Sequence, residues 1–165
     1  DDGCDSVCGV CMAPSDYCEE ESGQCLHPTT VHGGTIEAPY DIDPGAIPMV
    51  LSGDTSSAQN NYSFVNGACP PFQGKGGASN DQVWRFVPIK SGDYVFDLMP
   101  DGFDAALYVV TSEDINNSCV AAWDGEPNDR LVVSLEADKA VYVIVDGGSN
   151  LLNYAGPYQL GLSGP

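Results

Sequence analysis

Between Asp81 and Val110 apolar residues recur at every second position, and each run of them stops at a turn signal. Trp84 and Phe86 flank Arg85, Tyr94, Phe96 and Leu98 alternate with Val95 and Asp97, and Phe103-Asp-Ala-Ala-Leu-Tyr-Val-Val closes the stretch. A period of two sends successive side chains to opposite faces of an extended chain, whereas a helix repeats every ~3.6 residues. Ser91-Gly92-Asp93 and Pro100-Asp101-Gly102 separate the runs, and Gly with Asp or Pro is the chemistry of tight reversals. The stretch is therefore expected to be a β-meander of neighbouring antiparallel strands, with Trp84, Phe86, Tyr94, Phe96 and Leu107 facing a core. Nothing in it looks like a catalytic centre.

The same pattern continues on both sides. Ile47 to Gly53 reads as a short strand whose Pro48 favours an edge position. Leu131, Val133 and Leu135 alternate with Val132 and Ser134, and Tyr158 to Leu162 reads as a last strand. Val141-Tyr-Val-Ile-Val is apolar on both faces, which marks a central, well-buried strand. About eight strands without a convincing helix point to an all-β, antiparallel sandwich, because two packed sheets manage so many strand edges best. Two long polar segments interrupt the strands: 54–78, which contains Cys69, and 111–129, which carries Cys119, Trp123 and the acidic run Asp124-Gly-Glu-Pro-Asn-Asp129. Loops of this length are functional or pinned down, and Cys69 offers a pin.

Residues 1–27 follow a different logic. Cys4, Cys8, Cys11, Cys18 and Cys25 stand among glycines and polar residues with almost nothing apolar to bury. So small a segment needs covalent cross-links, and the expectation is a disulfide knot in an oxidising compartment. Zinc is disfavoured for Cys8 and Cys11 because the spacing is irregular and lacks a second ligand pair. Residues 28–35 form a linker by composition, and residues 36–165 form the main domain. An initial Asp and the lack of a leader suggest a processed, secreted chain. No apolar run approaches the ~18 residues of a membrane helix, so membrane insertion is not expected.

The net charge of -19, from 24 acidic and 5 basic residues, repels phosphate backbones and rules against nucleic-acid binding. It reads either as solubility in a saline medium or as carboxylates converging on calcium, which needs six to eight oxygens from loop carboxylates and carbonyls. Three places offer such oxygens: Asp41 with Asp43, Asp101 with Asp104, and Asp124 with Glu126 and Asp129. Asp41 and Asp43 read more readily as turn formers than as calcium ligands. Asp81, Asp104 and Asp146 stand at strand ends, and Asp146-Gly147-Gly148 reads best as a side-chain-capped turn. Trp123, read as a loop residue, is either an exposed platform for a sugar or partner or a plug over the sandwich end. Asn61 and Asn116 begin Asn-x-Ser glycosylation tripeptides. His27 and His32 lie at or in the linker, and with no Gly-x-Ser-x-Gly elbow there is no support for Ser-His-Asp hydrolysis.

Two family resemblances are carried by these residues. Asp1-Asp-Gly-Cys4, Cys8-Gly-Val-Cys11, Cys18 and Gly23-Gln-Cys25 resemble a small Cys-rich repeat of bacterial secreted proteins. That repeat has one more cysteine, so the odd one here pairs upstream, with Cys69 or Cys119, or not within the chain. Over residues 35–163 the order Val50-Leu-Ser-Gly53, Asp81-Gln-Val-Trp-Arg-Phe86, Ser91-Gly-Asp-Tyr94, Phe103-Asp-Ala-Ala-Leu-Tyr-Val109, Tyr142-Val-Ile-Val-Asp-Gly147 and Tyr158-Gln-Leu160 resembles the bacterial pre-peptidase C-terminal domain family. The resemblance implies a jelly-roll-like sandwich without enzymatic activity, an appendage of secreted peptidases and surface proteins. Some relatives bind calcium near the N-terminal linker, and some bind collagen or polysaccharide. Relatives often place a cysteine near Ala122 or Trp123 as the partner of one near Cys119. Its lack here leaves Cys69 as the expected partner of Cys119, a clip between the two long loops.

The expected function is a non-catalytic secreted or cell-surface module for binding or assembly, with protein, polysaccharide or copies of itself as partners. It would serve as a subunit of an extracellular filament or a processed piece of a larger surface protein. The alternatives are a carbohydrate-binding module or the appendage of a secreted hydrolase.

Overall fold

The turn residues reverse the chain where expected, but the strands they connect do not pair with each other. This is seen in the computed structural model, which describes residues 17–19, 24–26, 33–64, 69, 79–123, 129–148 and 154–165. The chain divides into two compact units, Asp1–Val31 and His32–Pro165. In the first, β1 (Tyr17–Glu19) and β2 (Gln24–Leu26) form an antiparallel hairpin whose backbone register sets Cys18 opposite Cys25. Cys4, Cys8 and Cys11, and with them the expected knot, lie outside the described residues, as do His27 and His32.

The second unit contains β3 (Tyr40–Asp41), β4 (Met49–Asp54), β5 (Gln82–Phe86), β6 (Gly92–Pro100) and β7 (Ala105–Val110). After a four-residue helix, α1 (Ile115–Ser118), come β8 (Cys119–Trp123), β9 (Asp129–Leu135), β10 (Val141–Gly147) and β11 (Pro157–Ser163). They build two sheets, in the orders β3-β5-β10-β7-β8 and β4-β11-β6-β9. With β4 counted as first and β11 as eighth, one sheet reads 1-8-3-6 and the other 2-7-4-5, which is the jelly-roll arrangement. The two-residue β3 adds to this frame, running parallel to the β5 edge. No helix among the described residues is long and apolar enough to cross a membrane.

The meander expected over Asp81–Val110 is thus corrected. β5 and β7 lie in one sheet on either side of β10, while β6 belongs to the opposite sheet. The connections 87–91 and 101–104 have enough chain to arch the roughly 10 Å between packed sheets. Alternation dictates which face of each strand is apolar, and that face is buried equally well by an arch as by a hairpin. Accordingly Trp84, Phe86, Tyr94, Phe96 and Leu107 all lie in the core between the sheets. They are joined there by Leu98, Val109, Leu131, Val133, Leu135, Val143, Val145, Leu160 and Leu162. Phe86 meets Tyr94 and Phe96 edge-on, at centroid distances of 5.2 and 6.3 Å.

A second core covers the outer face of the five-stranded sheet. Val83, Ala106, Tyr108, Val110 and Ile144 point outward into it and are covered by Tyr62 and Phe64 from the long loop and by Ile115 from α1. The rings of Phe64 and Tyr108 stack at 3.7 Å. Cys69 and Cys119 form the expected disulfide across this cover, with Cα atoms 5.4 Å apart and a sequence separation of 50. In a chain-entropy estimate a closed span of that size stabilises the fold by about 4 kcal/mol. Burial on both sides explains the unbroken apolar run of β10, and β7 is buried along its whole length for the same reason. Pro48 precedes β4, which is an edge strand as expected.

The expected second long loop also needs correction, because Cys119–Trp123 is a strand, paired with β7 through a register shift. Its Val120 and Trp123 are exposed and alanines fill its middle, so it lacks the strong alternation that reveals the other strands. Trp123 therefore ends a strand and is not a loop residue, and it is 46% exposed.

Candidate functional site

On one side of the sandwich the edge strands β3 and β4 leave an open groove of about 490 Å³, lined by Tyr40, Ser52, Gly53, Asp54, Gln82 and Trp84. Its aromatic wall is set by local backbone. Gly33 takes a left-handed φ of 81°, which L side chains rarely adopt, and the Tyr40 ring lies directly where its Cβ would be. Gly33 is tied by its N–H to the carbonyl of Ala38 and by its own carbonyl to the N–H of Val83, both at 2.6 Å. Tyr40 is thereby held against Trp84, with centroids 4.9 Å apart and planes tilted by 42°.

The polar lining is equally fixed. Trp84 Nε1 donates to the phenol oxygen of Tyr158, Tyr158 donates to Gln82 Oε1, and Gln82 Nε2 donates to the carbonyl of Asp54, each at 2.8 Å. Burial raises the Tyr158 hydroxyl above its usual range, so it remains a neutral donor in this relay. Asp54 is exposed, and hydrogen bonds from Ser56 hold its carboxyl below the usual value, so it is ionised. The groove therefore presents aromatic surface, an oriented amide and a negative charge side by side. Sequence reading placed Trp84 in the core and passed over Tyr40 and Gln82, because edges that adjoin only in the folded sandwich leave no spacing signal.

A second polar feature lies under the outer loop. Asp81 and Asp146 are both completely buried. One Asp81 oxygen, Oδ2, accepts from the backbone N–H groups of Asn61 and Tyr62, at 2.8 and 2.9 Å, and anchors the covering loop. Asp146 Oδ1 accepts from the N–H of its neighbour Gly147 at 2.7 Å, and since β10 runs to Gly147 this bond lies within the strand and does not cap the turn expected there. Burial pushes the Asp81 carboxyl up to about 7 against those amide bonds. Burial, together with the charge of Asp81, pushes Asp146 to about 8.

The residues singled out in the sequence are mostly dispersed. Asp41 is exposed and pairs with Arg85 at 3.1 Å, while Asp43 Oδ1 accepts from Gly45 N–H at 2.9 Å and caps the 3-10 turn Pro44–Ala46. Asp101 is exposed after β6, and half-buried Asp104 precedes β7, its carbonyl accepting from Gly148 N–H. Asp124 and Glu126 lie outside the described residues, and Asp129 opens β9 with its backbone opposite Leu98. Among the described residues no three His, Cys, Asp or Glu side chains converge. Asn61 Nδ2 donates to Gly34 O, and Asn116 Nδ2 donates to Ser63 O.

No family model matches the sequence, and no curated protein matches it significantly. Among solved structures the chain is similar to the pre-peptidase C-terminal domain of collagenase from Bacillus anthracis, with a TM-score of 0.50 and 12% identity over 76% of this chain and 94% of that one. That likeness supports the fold. Weaker likenesses include a β-glucosidase from Kluyveromyces marxianus in complex with glucose, at a TM-score of 0.40 and 15% identity over 85% of this chain and 19% of that one. Another is the GH26-CBM35 β-(1,4)-mannanase of Podospora anserina, at a TM-score of 0.30 and 14% identity over 72% and 28%.

Proposed function

We propose that this chain is a non-catalytic extracellular binding module that takes a polysaccharide in the groove between β3 and β4. The observation that carries the reading is the fixed pairing of the Tyr40 and Trp84 rings beside the Gln82 amide and the Asp54 carboxylate. Sugar rings present C–H faces that pack on aromatic rings and hydroxyls that exchange hydrogen bonds with amides and carboxylates. The net charge of -19 favours neutral or cationic polymers over anionic ones. A role outside the cell or on its surface, free or as a piece of a larger protein, follows from the cysteine content. Affinity electrophoresis through gels loaded with neutral polysaccharides tests the reading. Retardation of the wild-type chain that Tyr40→Ala abolishes is expected, and equal mobility of both proteins in every gel would discard the groove.

A second reading, assembly, rests on the edge of β4, which among the described residues pairs on one side only, with β11. This strand ends its sheet and carries Val50, which is 61% exposed, so a strand from another chain has a template to pair with. Sedimentation velocity over a wide concentration range separates the readings. A monomer throughout argues against self-assembly and leaves glycan binding standing.

A further inference from the structure

The side chains that line the groove offer acceptors more than donors. Trp84 Nε1 gives its hydrogen to Tyr158, the Tyr158 hydroxyl gives its own to Gln82 Oε1, and Gln82 Nε2 gives one of its two to the Asp54 carbonyl. The donors built into this wall are thereby almost all engaged. Still open are a second lone pair on Gln82 Oε1 and the carboxylate of Asp54, which has about four acceptor sites and receives hydrogen bonds from Ser56. The hydroxyls of Tyr40 and Ser52 serve in either sense. A ligand that satisfies the groove has to bring donors.

It has to bring positive charge as well. Among the described residues that line the groove Asp54 alone is charged, and it is exposed and ionised. Arg85, the neighbour of Trp84 in the chain, is paired with Asp41 at 3.1 Å and so does not balance it. The face of Tyr40, held 4.9 Å from Trp84 between centroids, attracts a cation as readily as it packs against a sugar ring. The net charge of -19 pulls in the same direction at longer range. A sugar hydroxyl answers these demands with one donor and no charge. An ammonium group answers them with three donors and a full charge on one atom, and its hydrogen bonds to a carboxylate are about twice as strong as neutral ones.

We infer that the groove is selective for polymers of amino sugars whose amine is free, with Asp54 as the residue that determines the specificity by receiving the ammonium group. Tyr40, backed by Trp84, is the platform for the sugar ring that carries it. The inference rests on the reading of the groove as a polysaccharide site and narrows its class of ligand.

Isothermal titration calorimetry of the whole chain with two glucosamine oligomers of equal length, one fully deacetylated and one fully N-acetylated, tests it. A mildly acidic pH keeps the free amines protonated while Asp54 stays ionised. The deacetylated oligomer is expected to bind about tenfold tighter or more, the scale of one charge-assisted hydrogen bond. Asp54→Asn should bring the two affinities together, and Tyr40→Ala should weaken both. Glu136→Gln removes the same charge from an exposed position outside the groove and should keep the preference. Circular dichroism of each variant checks that it folds. Equal affinities in the wild type overturn the inference and leave the polysaccharide reading standing. A preference that survives in Asp54→Asn, or that Glu136→Gln reduces as much, overturns it too, by showing that net charge alone draws the polymer in. If neither oligomer binds, the inference falls, and retardation in neutral gels then decides whether the polysaccharide reading falls with it.

Discussion

Trp84 Nε1 donates a 2.8 Å hydrogen bond to the phenol oxygen of Tyr158, linking β5 of one sheet to β11 of the other through the core. Strands distant in sequence are thus stapled beside the groove that they help to line. Replacing Tyr158 with Phe leaves a buried indole N–H and the Gln82 carbonyl without their partner, which costs about 1–3 kcal/mol. Trp84→Phe removes the donor but also opens a void, so a loss of about 2–4 kcal/mol is expected. Urea unfolding of both single variants and the double should give a coupling energy near 1 kcal/mol, and strict additivity would count against the staple.

The Cys69–Cys119 link holds the cover of the outer core and not the jelly roll itself. Replacing both cysteines with Ala is expected to cost about 2–4 kcal/mol. Hydrogen exchange should quicken over Asn61–Phe64 while Phe96 and Val143 stay protected. Uniform acceleration throughout would show instead that the two cores unfold as one.

Burial raises Asp81 and Asp146 from 3.8 to about 7 and about 8, so their folded forms hold protons that the unfolded chain releases. Their contribution is therefore fully present below about pH 4 and is lost as pH rises through 7 to 8. In chelator the wild type should lose several °C of Tm between pH 5 and 8 relative to Asp146→Asn. Tyr62, itself raised to about 12, stays neutral across this window, and the difference between the proteins cancels the surface carboxylates. Parallel pH profiles for the two would refute the assignment.

Gly33 is needed twice, for its left-handed φ and for the space that the Tyr40 ring fills. Gly33→Ala should cost about 1–3 kcal/mol through backbone strain and displacement of Tyr40. Polysaccharide retardation should weaken with it, while the Cys69–Cys119 link remains intact by peptide mapping.

How far the fold was legible in the sequence is clearest from particular elements. The inter-sheet core around Phe86, Phe96 and Leu107 could be read directly, because alternation states which side chains must leave water whatever the strands pair with. The edge position of β4 was legible from Pro48, and the Cys69–Cys119 link from what the family resemblance implies, the relatives' cysteine near Ala122 or Trp123 being replaced here. The strand Cys119–Trp123 was not, since its exposed Val120 and Trp123 break the pattern that burial would have written.

The sequence by itself determined that the chain is all-β, which faces of its strands are buried, and where it reverses, since these follow from side-chain period and turn chemistry within a few neighbours. Tertiary structure alone decided that Ser91-Gly92-Asp93 and Pro100-Asp101-Gly102 open arches between sheets and not hairpins within one. It likewise decided that Tyr40 meets Trp84 and that Asp81 meets Asp146. Those outcomes depend on which strand edges find each other across the sandwich, a choice made by the joint packing of two cores that no local stretch encodes.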